Sequence, residues 1–375
     1  MPAPVSGPTG FAAVGSVAVR TFAAHQSPQA TPTALQSMDG QHVNAMAGDG
    51  SGGVHNHFAD YDELPDGHFY DPDAEYEPDP EYAATLAPDA ARQRRERIGP
   101  TGRPLPYFPI PGPLTDHGPA TIIAMCNQKG GVGKTTSTIN LGAALAEYGR
   151  RVLLVDFDPQ GALSVGLGVN PMELDLTVYN LLMERGMSAD EVLLKTAVPN
   201  MDLLPSNIDL SAAEVQLVSE VARESTLQRA LKPLMADYDY IVIDCQPSLG
   251  LLTVNALTAA HKVIVPLECE FFALRGVALL TETIEKVQER LNPELELDGI
   301  LATMYDSRTV HSREVLARVV EAFDDHVYHT VIGRTVRFPE TTVAGEPITT
   351  YASNSVGAAA YRQLAREVLA RCHAE

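Results

Sequence analysis

Tryptophan is absent from this 375-residue chain, cysteine occurs four times, and no apolar run reaches the ~18 residues that a membrane-spanning helix needs. Cys126, Cys245, Cys269 and Cys372 show no Cys-x-x-Cys spacing and no histidine at metal-ligand intervals. Neither a disulfide framework nor a zinc site is therefore expected, and a reducing cytoplasmic setting fits. Residues 11–24 are apolar enough to resemble a signal peptide. No basic segment precedes them and Arg20 interrupts the run, so export is not expected.

Positive charge is scarce too. Lys and Arg total 27 against 48 Asp and Glu, a formal charge of −21, and only six of the cations are lysines. Any nucleic-acid contact must then come from a local basic patch, because the overall field is repulsive. Residues 1–118 also lack periodicity. They are rich in Ala, Pro, Gly, Ser and His, and hold six basic against fifteen acidic residues, ten of the latter between Asp60 and Glu81. Such a segment buries too little apolar surface to offset its chain entropy, so a disordered tail over 1–118 and one folded domain over 119–375 are expected. Arg92, Arg94, Arg95 and Arg97 form a basic run just before the domain, which a solvated linker would also show.

Against that background one segment carries specific chemistry. Asn127-Gln128-Lys129-Gly130-Gly131-Val132-Gly133-Lys134-Thr135-Thr136 lies between an apolar run, Thr121 to Cys126, and a helical pattern, Ser137 to Tyr148. At a strand-to-helix junction, Gly130, Gly131, Val132 and Gly133 can turn backbone N–H groups onto phosphate oxygens. Lys134 then meets the β- and γ-phosphates, Thr135 offers a hydroxyl to Mg²⁺, and Thr136 is spaced for the α-phosphate side. Gln128 stands where the simple motif has glycine. Lys129 is the additional feature: it sits at the mouth of the turn, where folding back to its own nucleotide is awkward and a partner's nucleotide is the natural target.

Further apolar runs alternate with helical patterns: Val152 to Phe157, Met201 to Leu204, Tyr240 to Asp244, Val263 to Leu267, Gly299 to Met304 and Val327 to Ile332. Ser188 with Glu191 and Ser211 with Glu214 read as capping boxes at helix starts. This pattern predicts an α/β fold, a doubly wound and mostly parallel sheet with ligands at the carboxyl ends of its strands. Two strands end in acid, Val155-Asp156-Phe157-Asp158 and Ile243-Asp244, which supplies the carboxylates that Mg²⁺ and an attacking water require.

With these residues in place, the chain resembles the ParA/Soj family of partition ATPases, within the deviant Walker A class that also contains MinD-like proteins. The resemblance rests on NQKGGVGKTT, VDFDPQG and IVIDCQPSLG, and extends through VIVPLECEFFALRG and TMYDSRT over roughly residues 120–372. It implies an ATP hydrolase using ATP and Mg²⁺, stimulated by DNA and a ParB-type centromere-binding partner, and dimeric when ATP is bound. By the same resemblance Lys129 crosses to the partner's nucleotide, Lys134 and Thr135 serve their own, and Asp158 positions the water. Asp156 and Asp244 are then acidic groups near the metal. Arg308 and Arg337 match arginines that bind double-stranded DNA without sequence preference. Arg334 joins the nucleotide-side contacts or assists them, and Gly333 stands where relatives carry proline beside the adenine. Nucleoid association in the cytoplasm follows, with the Arg92–Arg97 run as a candidate docking arm and a polar scaffold protein as an open further partner.

Two alternatives stay open at this stage. A MinD-like positioning protein would use the helical segment Ala358 to Arg371 on a membrane surface, although Tyr361, Leu364, Val368 and Leu369 predict a packing helix. A metabolic relative would use ATP for amide or metal-cluster chemistry, and the cysteines offer no cluster-bridging pair. Cys245 reads as a core thiol.

Overall fold

In a computed structural model, the described residues are 97–270 and 273–372. The acidic run and Arg92, Arg94 and Arg95 lie outside them.

Seven strands form one sheet: β1 (Thr121–Met125), β2 (Val152–Phe157), β3 (Leu194–Lys195), β4 (Met201–Leu204), β5 (Tyr240–Cys245), β6 (Lys262–Glu268) and β7 (Glu296–Thr303). Their order is β3-β4-β2-β5-β1-β6-β7. All neighbours pair in parallel except β3, a two-residue antiparallel edge against β4. The expected doubly wound α/β fold is the observed one.

Burial on both faces explains why these strands read as unbroken apolar runs. In β1, Ile122 and Ala124 join one core and Ile123 and Met125 the other; in β2, Leu153 and Val155 alternate with Val152 and Leu154 in the same way. The Lys134–Glu147 and Val356–Cys372 helices cover one face, while Leu251–Ala259, Ala273–Arg290 and Val310–Phe323 cover the other. Tyr361, Leu364, Val368 and Leu369 of the last helix are all buried. Each such side chain contributes roughly 1.5–3 kcal/mol through burial, so this helix is a packing element. Among the described residues, no helix is long and apolar enough to cross a membrane.

The structure departs from the sequence reading at Val327 to Ile332 and at Ser211, among other positions. Val327 to Ile332 is not a strand: only isolated bridges, Ile300 with Val327 and Tyr305 with Gly333, flank β7. The N–H groups of His329 and Thr330 donate instead to the Glu367 carboxylate at 2.7 and 2.9 Å, which removes them from any ladder. The helix near Ser211 begins at Leu210 with Asp209 before it. Ser211 therefore lies inside the first turn, and its hydroxyl donates back to the Ile208 carbonyl at 2.7 Å rather than capping. The Ser188–Glu191 capping box forms as expected. Thr177 with Asn180 makes another that the sequence reading passed over.

Residues 97–118, on the tail side of the boundary read from the sequence, are fastened to the domain. Arg103 Nη1 and Nη2 donate to the carbonyls of Asp324 and Val327 at 2.8 and 2.5 Å. Arg150 donates to the Gly112 carbonyl at 2.8 Å, and His117 Nδ1 pairs with Asp239 at 2.8 Å.

Candidate functional site

Beyond β1 the chain turns through Gly131 (φ 75°) and Gly133 (φ 85°), left-handed conformations that a side chain would strain. Gly133 precedes the Lys134–Glu147 helix, and no side chain caps that end. The first N–H groups of the helix and its dipole thus face the loop as an anion cradle.

Neighbouring strands brace the loop. Asn127 Nδ2 donates to the Pro266 carbonyl at 2.7 Å, while its Oδ1 accepts the Lys129 N–H at 2.9 Å. Gln128 donates to the Gly276 carbonyl at 3.2 Å, so the residue in glycine's place ties the loop to the Ala273–Arg290 helix. From the end of β7, the Thr303 hydroxyl donates to the Val132 carbonyl at 2.8 Å.

The two lysines occupy different environments. Lys134 is 7 % exposed, and its amine folds into the loop onto the Lys129 carbonyl at 3.0 Å. Burial draws its pKa down, opposed by Asp244. Lys129 projects the other way, with a side chain 44 % exposed, and donates to Glu270 at 2.5 Å and Glu268 at 3.1 Å. Burial alone would lower its pKa, but the bonds to these carboxylates outweigh that and hold it above the ordinary lysine value. The second Glu268 oxygen accepts from Arg334 Nη2 at 3.2 Å. Lys129 and Arg334 thus share one carboxylate.

Asp156 and Asp244 sit opposite one another in the β2–β5 register, both fully buried. Burial pushes the Asp156 carboxyl up to about 7, against hydrogen bonds from the Ser164 hydroxyl and N–H at 2.7 and 2.8 Å and from the Asp158 N–H at 3.3 Å. Burial, then the adjacent Asp156, lifts Asp244 well above the carboxylate range. Its Oδ2 accepts from the Thr135 hydroxyl at 2.7 Å, and its buried Oδ1 has no partner. An orphaned carboxylate oxygen beside a phosphate cradle suits a cation, since leaving it unpaired is costly. Both Asp156 oxygens accept hydrogen bonds from the chain that follows it, whereas Asp244 is bonded only through the oxygen that faces Thr135. Among the described residues, no cluster of three or more His, Cys, Asp or Glu could hold a metal by itself.

Asp158 lies just past β2, with Oδ1 accepting the Gln160 N–H at 2.9 Å. Thr136 stands in the first turn of the Lys134–Glu147 helix, its carbonyl accepting from Asn140 Nδ2 at 2.8 Å. Arg308 follows β7 and grips Asp306 with two bonds of 2.9 Å. Arg337 opens the Arg337–Ala344 helix and reaches Glu340 at 3.1 Å. Backbone bonds draw the two arginine segments together, with the Arg334 N–H donating to the Tyr305 carbonyl at 3.2 Å. Sequence reasoning passed over Glu268, Glu270, Ser164 and Thr303. Acidic residues at the end of the Val263–Leu267 run were the available signal for the first two.

A phosphate cradle at a helix start, beside two strands that end in carboxylates, defines a P-loop nucleotide hydrolase. A family described as "AAA domain" matches residues 120–297. An uncharacterized protein of Mycobacterium tuberculosis is 69 % identical over 274 residues, which cover 73 % of this chain and 86 % of that protein. The chromosome-partitioning ATPase Soj of Treponema pallidum is 49 % identical over 249 residues, 66 % of this chain and 97 % of Soj. Among solved structures, cobyrinic acid a,c-diamide synthase from Mycobacterium smegmatis with bound ADP and magnesium superposes with a TM-score of 0.60 at 46 % identity, covering 67 % of this chain and 94 % of that one. The chain belongs to the ParA/Soj family of chromosome-partitioning ATPases. The same Mycobacterium smegmatis protein has also been solved with a bound ATP analogue and magnesium.

Proposed function

We propose that this protein dimerises on ATP, binds double-stranded DNA without sequence preference, and segregates chromosome origins with a ParB-type centromere-binding partner that stimulates hydrolysis. The observation that carries this reading is the separation of the lysines. Lys134 is buried in the loop, while Lys129 stands on the rim and points out of it.

Chemistry follows from that division of labour. The loop N–H groups and Lys134 hold the β- and γ-phosphates, and Asp158 orients the water that attacks the γ-phosphorus. Mg²⁺, when bound beside Thr135 and Asp244, screens the phosphate charge. Phosphoryl transfer spreads negative charge over the equatorial oxygens, and Lys129 from a second subunit neutralises it, so turnover depends on pairing. Arg308 and Arg337 then contact DNA phosphates, each trading its own carboxylate, Asp306 or Glu340, for the polyanion. Per subunit, such a patch gives a Kd on the order of 10⁻⁴–10⁻⁶ M that weakens with salt, and pairing two patches strengthens it. The protein would accordingly reside in the cytoplasm on the nucleoid.

The deciding experiment is Arg308→Glu with Arg337→Glu, measured by DNA co-sedimentation and by gel filtration in ATP. DNA binding should fall at least tenfold while ATP-dependent dimerisation persists; undiminished DNA affinity would overturn the assignment. Co-sedimentation with anionic vesicles tests the MinD-like alternative, against which the apolar face of the last helix is already buried. ATP-driven amide formation, the metabolic alternative already open from the sequence, is also what the name of the solved mycobacterial relative describes. Cys126, Cys245 and Cys269 are buried, so none of these three is a thiol exposed to attack a nitrogen donor.

A further inference from the structure

We propose that Thr303 is a positioning residue for the phosphate loop, and that the turn it begins carries loop geometry to the two arginine segments. Membership of the ATPase family suffices for the first part; the second rests on the DNA-binding reading above.

The loop carbonyl that Thr303 holds lies between two left-handed glycines, Gly131 and Gly133. Each glycine rotates freely, so the peptide plane at Val132 has little intrinsic preference. Its orientation decides where the adjoining N–H groups point. Val132 and Thr303 are both buried, at 1 % and 2 % exposed, so water does not substitute for the hydroxyl. Removing that donor leaves a buried carbonyl unpaired, and the loop relieves it by turning the plane away from the geometry that binds phosphate.

Thr303 is also the last residue of β7, and Met304 after it has φ 49°, a conformation that non-glycine residues seldom hold. Tyr305 then joins the other segment: its N–H donates to the Ile332 carbonyl at 3.0 Å, and its carbonyl accepts the Arg334 N–H at 3.2 Å. Asp306 follows and fixes Arg308. Arg334 returns to Glu268, which holds Lys129 at the other end of the phosphate loop. The contacts close a ring, from Val132 through Thr303, Tyr305, Arg334 and Glu268 to Lys129. A displaced loop therefore strains both arginine segments through the turn at Met304.

Thr303→Val keeps the volume and deletes the donor, and Thr303→Ser keeps the donor. In the full-length protein, Thr303→Val should raise KM for ATP about fivefold to tenfold, the order expected for one buried hydrogen bond, with kcat at saturating ATP within about twofold. Thr303→Ser should restore KM. DNA retained at saturating ATP should also fall in Thr303→Val, although Arg308 and Arg337 are intact. Unchanged KM, or equal losses in the Val and Ser variants, would overturn the positioning role. Shifted KM with wild-type DNA retention would overturn the coupling alone. Met304→Gly, which relaxes the turn without touching the loop, is a second probe should Thr303→Val fail to fold: DNA retention should drop with KM unchanged, and unaffected retention would count against coupling. If the wild-type protein retains no DNA at all, the function proposed above fails together with the coupling, while KM still decides the role of Thr303.

Discussion

The amine of Lys129 lies 2.5 Å from the carboxylate of Glu270, so the lysine proposed to serve another subunit's nucleotide is held by its own chain. The contact is half exposed, and such pairs contribute only about 0–1 kcal/mol. A nucleotide triphosphate, with several charges and a drier setting, can outcompete it. Replacing Glu268 and Glu270 together by Gln should let the amine leave more readily. The ATP concentration that half-dimerises the protein should fall about threefold, as measured by analytical ultracentrifugation across an ATP titration; an unchanged midpoint would show that the pair imposes no cost.

Lys129→Ala separates binding from turnover. Lys134 and the loop glycines stay intact, so nucleotide affinity should change less than about threefold. Hydrolysis stimulated by DNA and partner should drop at least tenfold, because an isolated subunit lacks the added cation. Fluorescent-nucleotide titration and phosphate release measure the two quantities, and normal stimulated rates would remove the in-trans role.

Asp244 poses a stability question with a definite sign. Burial and the adjacent Asp156 raise its folded-state pKa above the unfolded value, so in the nucleotide-free protein its ionisation opposes folding as pH rises from about 4. Asp244→Asn removes that cost but also the carboxylate that faces the metal. The melting temperature without nucleotide should rise by a few degrees at pH 8, corresponding to about 1–2 kcal/mol, while Mg²⁺-dependent hydrolysis is lost. Differential scanning fluorimetry and a phosphate assay with and without EDTA check both halves. A lower melting temperature would contradict the assigned strain.

Asp239 behaves in the opposite sense. Burial would raise its pKa, but hydrogen bonds from the Arg151 N–H, His117 and the Gly118 N–H outweigh it and hold it below the usual carboxylate value. Its contribution is therefore present above the unfolded pKa near 4 and is lost as pH falls through the lower folded value. Asp239→Asn should cost about 1–3 kcal/mol near neutral pH and flatten the acid limb of the stability curve. Because Asp239 fastens His117 and Gly118, limited proteolysis should also cut the 97–118 segment faster in the variant.

Some of this was legible before any coordinates. The phosphate loop, β1, β2 and β5 announce themselves because their signals are local: glycines, a lysine-threonine pair, and runs apolar on both faces. Val327 to Ile332 misled for the converse reason. Its composition suits a strand, yet the Glu367 carboxylate, distant in sequence, takes two of its N–H groups. Ser211 and Glu214 had capping-box spacing, but the helix starts two residues earlier than that box requires, with Asp209 in the N-cap place. Glu268 and Glu270 were in plain view as letters, while their role toward Lys129 depends on where β6 ends relative to the loop after β1.

By itself the sequence determined that a phosphate cradle would form between β1 and the helix after it, and that the sheet would be parallel and covered on both sides. Backbone conformation and hydrophobic pattern act over a few residues, so neighbours in the chain are enough to specify them. Only the tertiary structure decided that Glu268 and Glu270 hold Lys129, that Asp156 turns to Ser164 while Asp244 keeps an unpaired oxygen, and that Thr303 clamps Val132. Those relations join residues from different strands, and the strand order that brings them together is chosen by packing of the whole core.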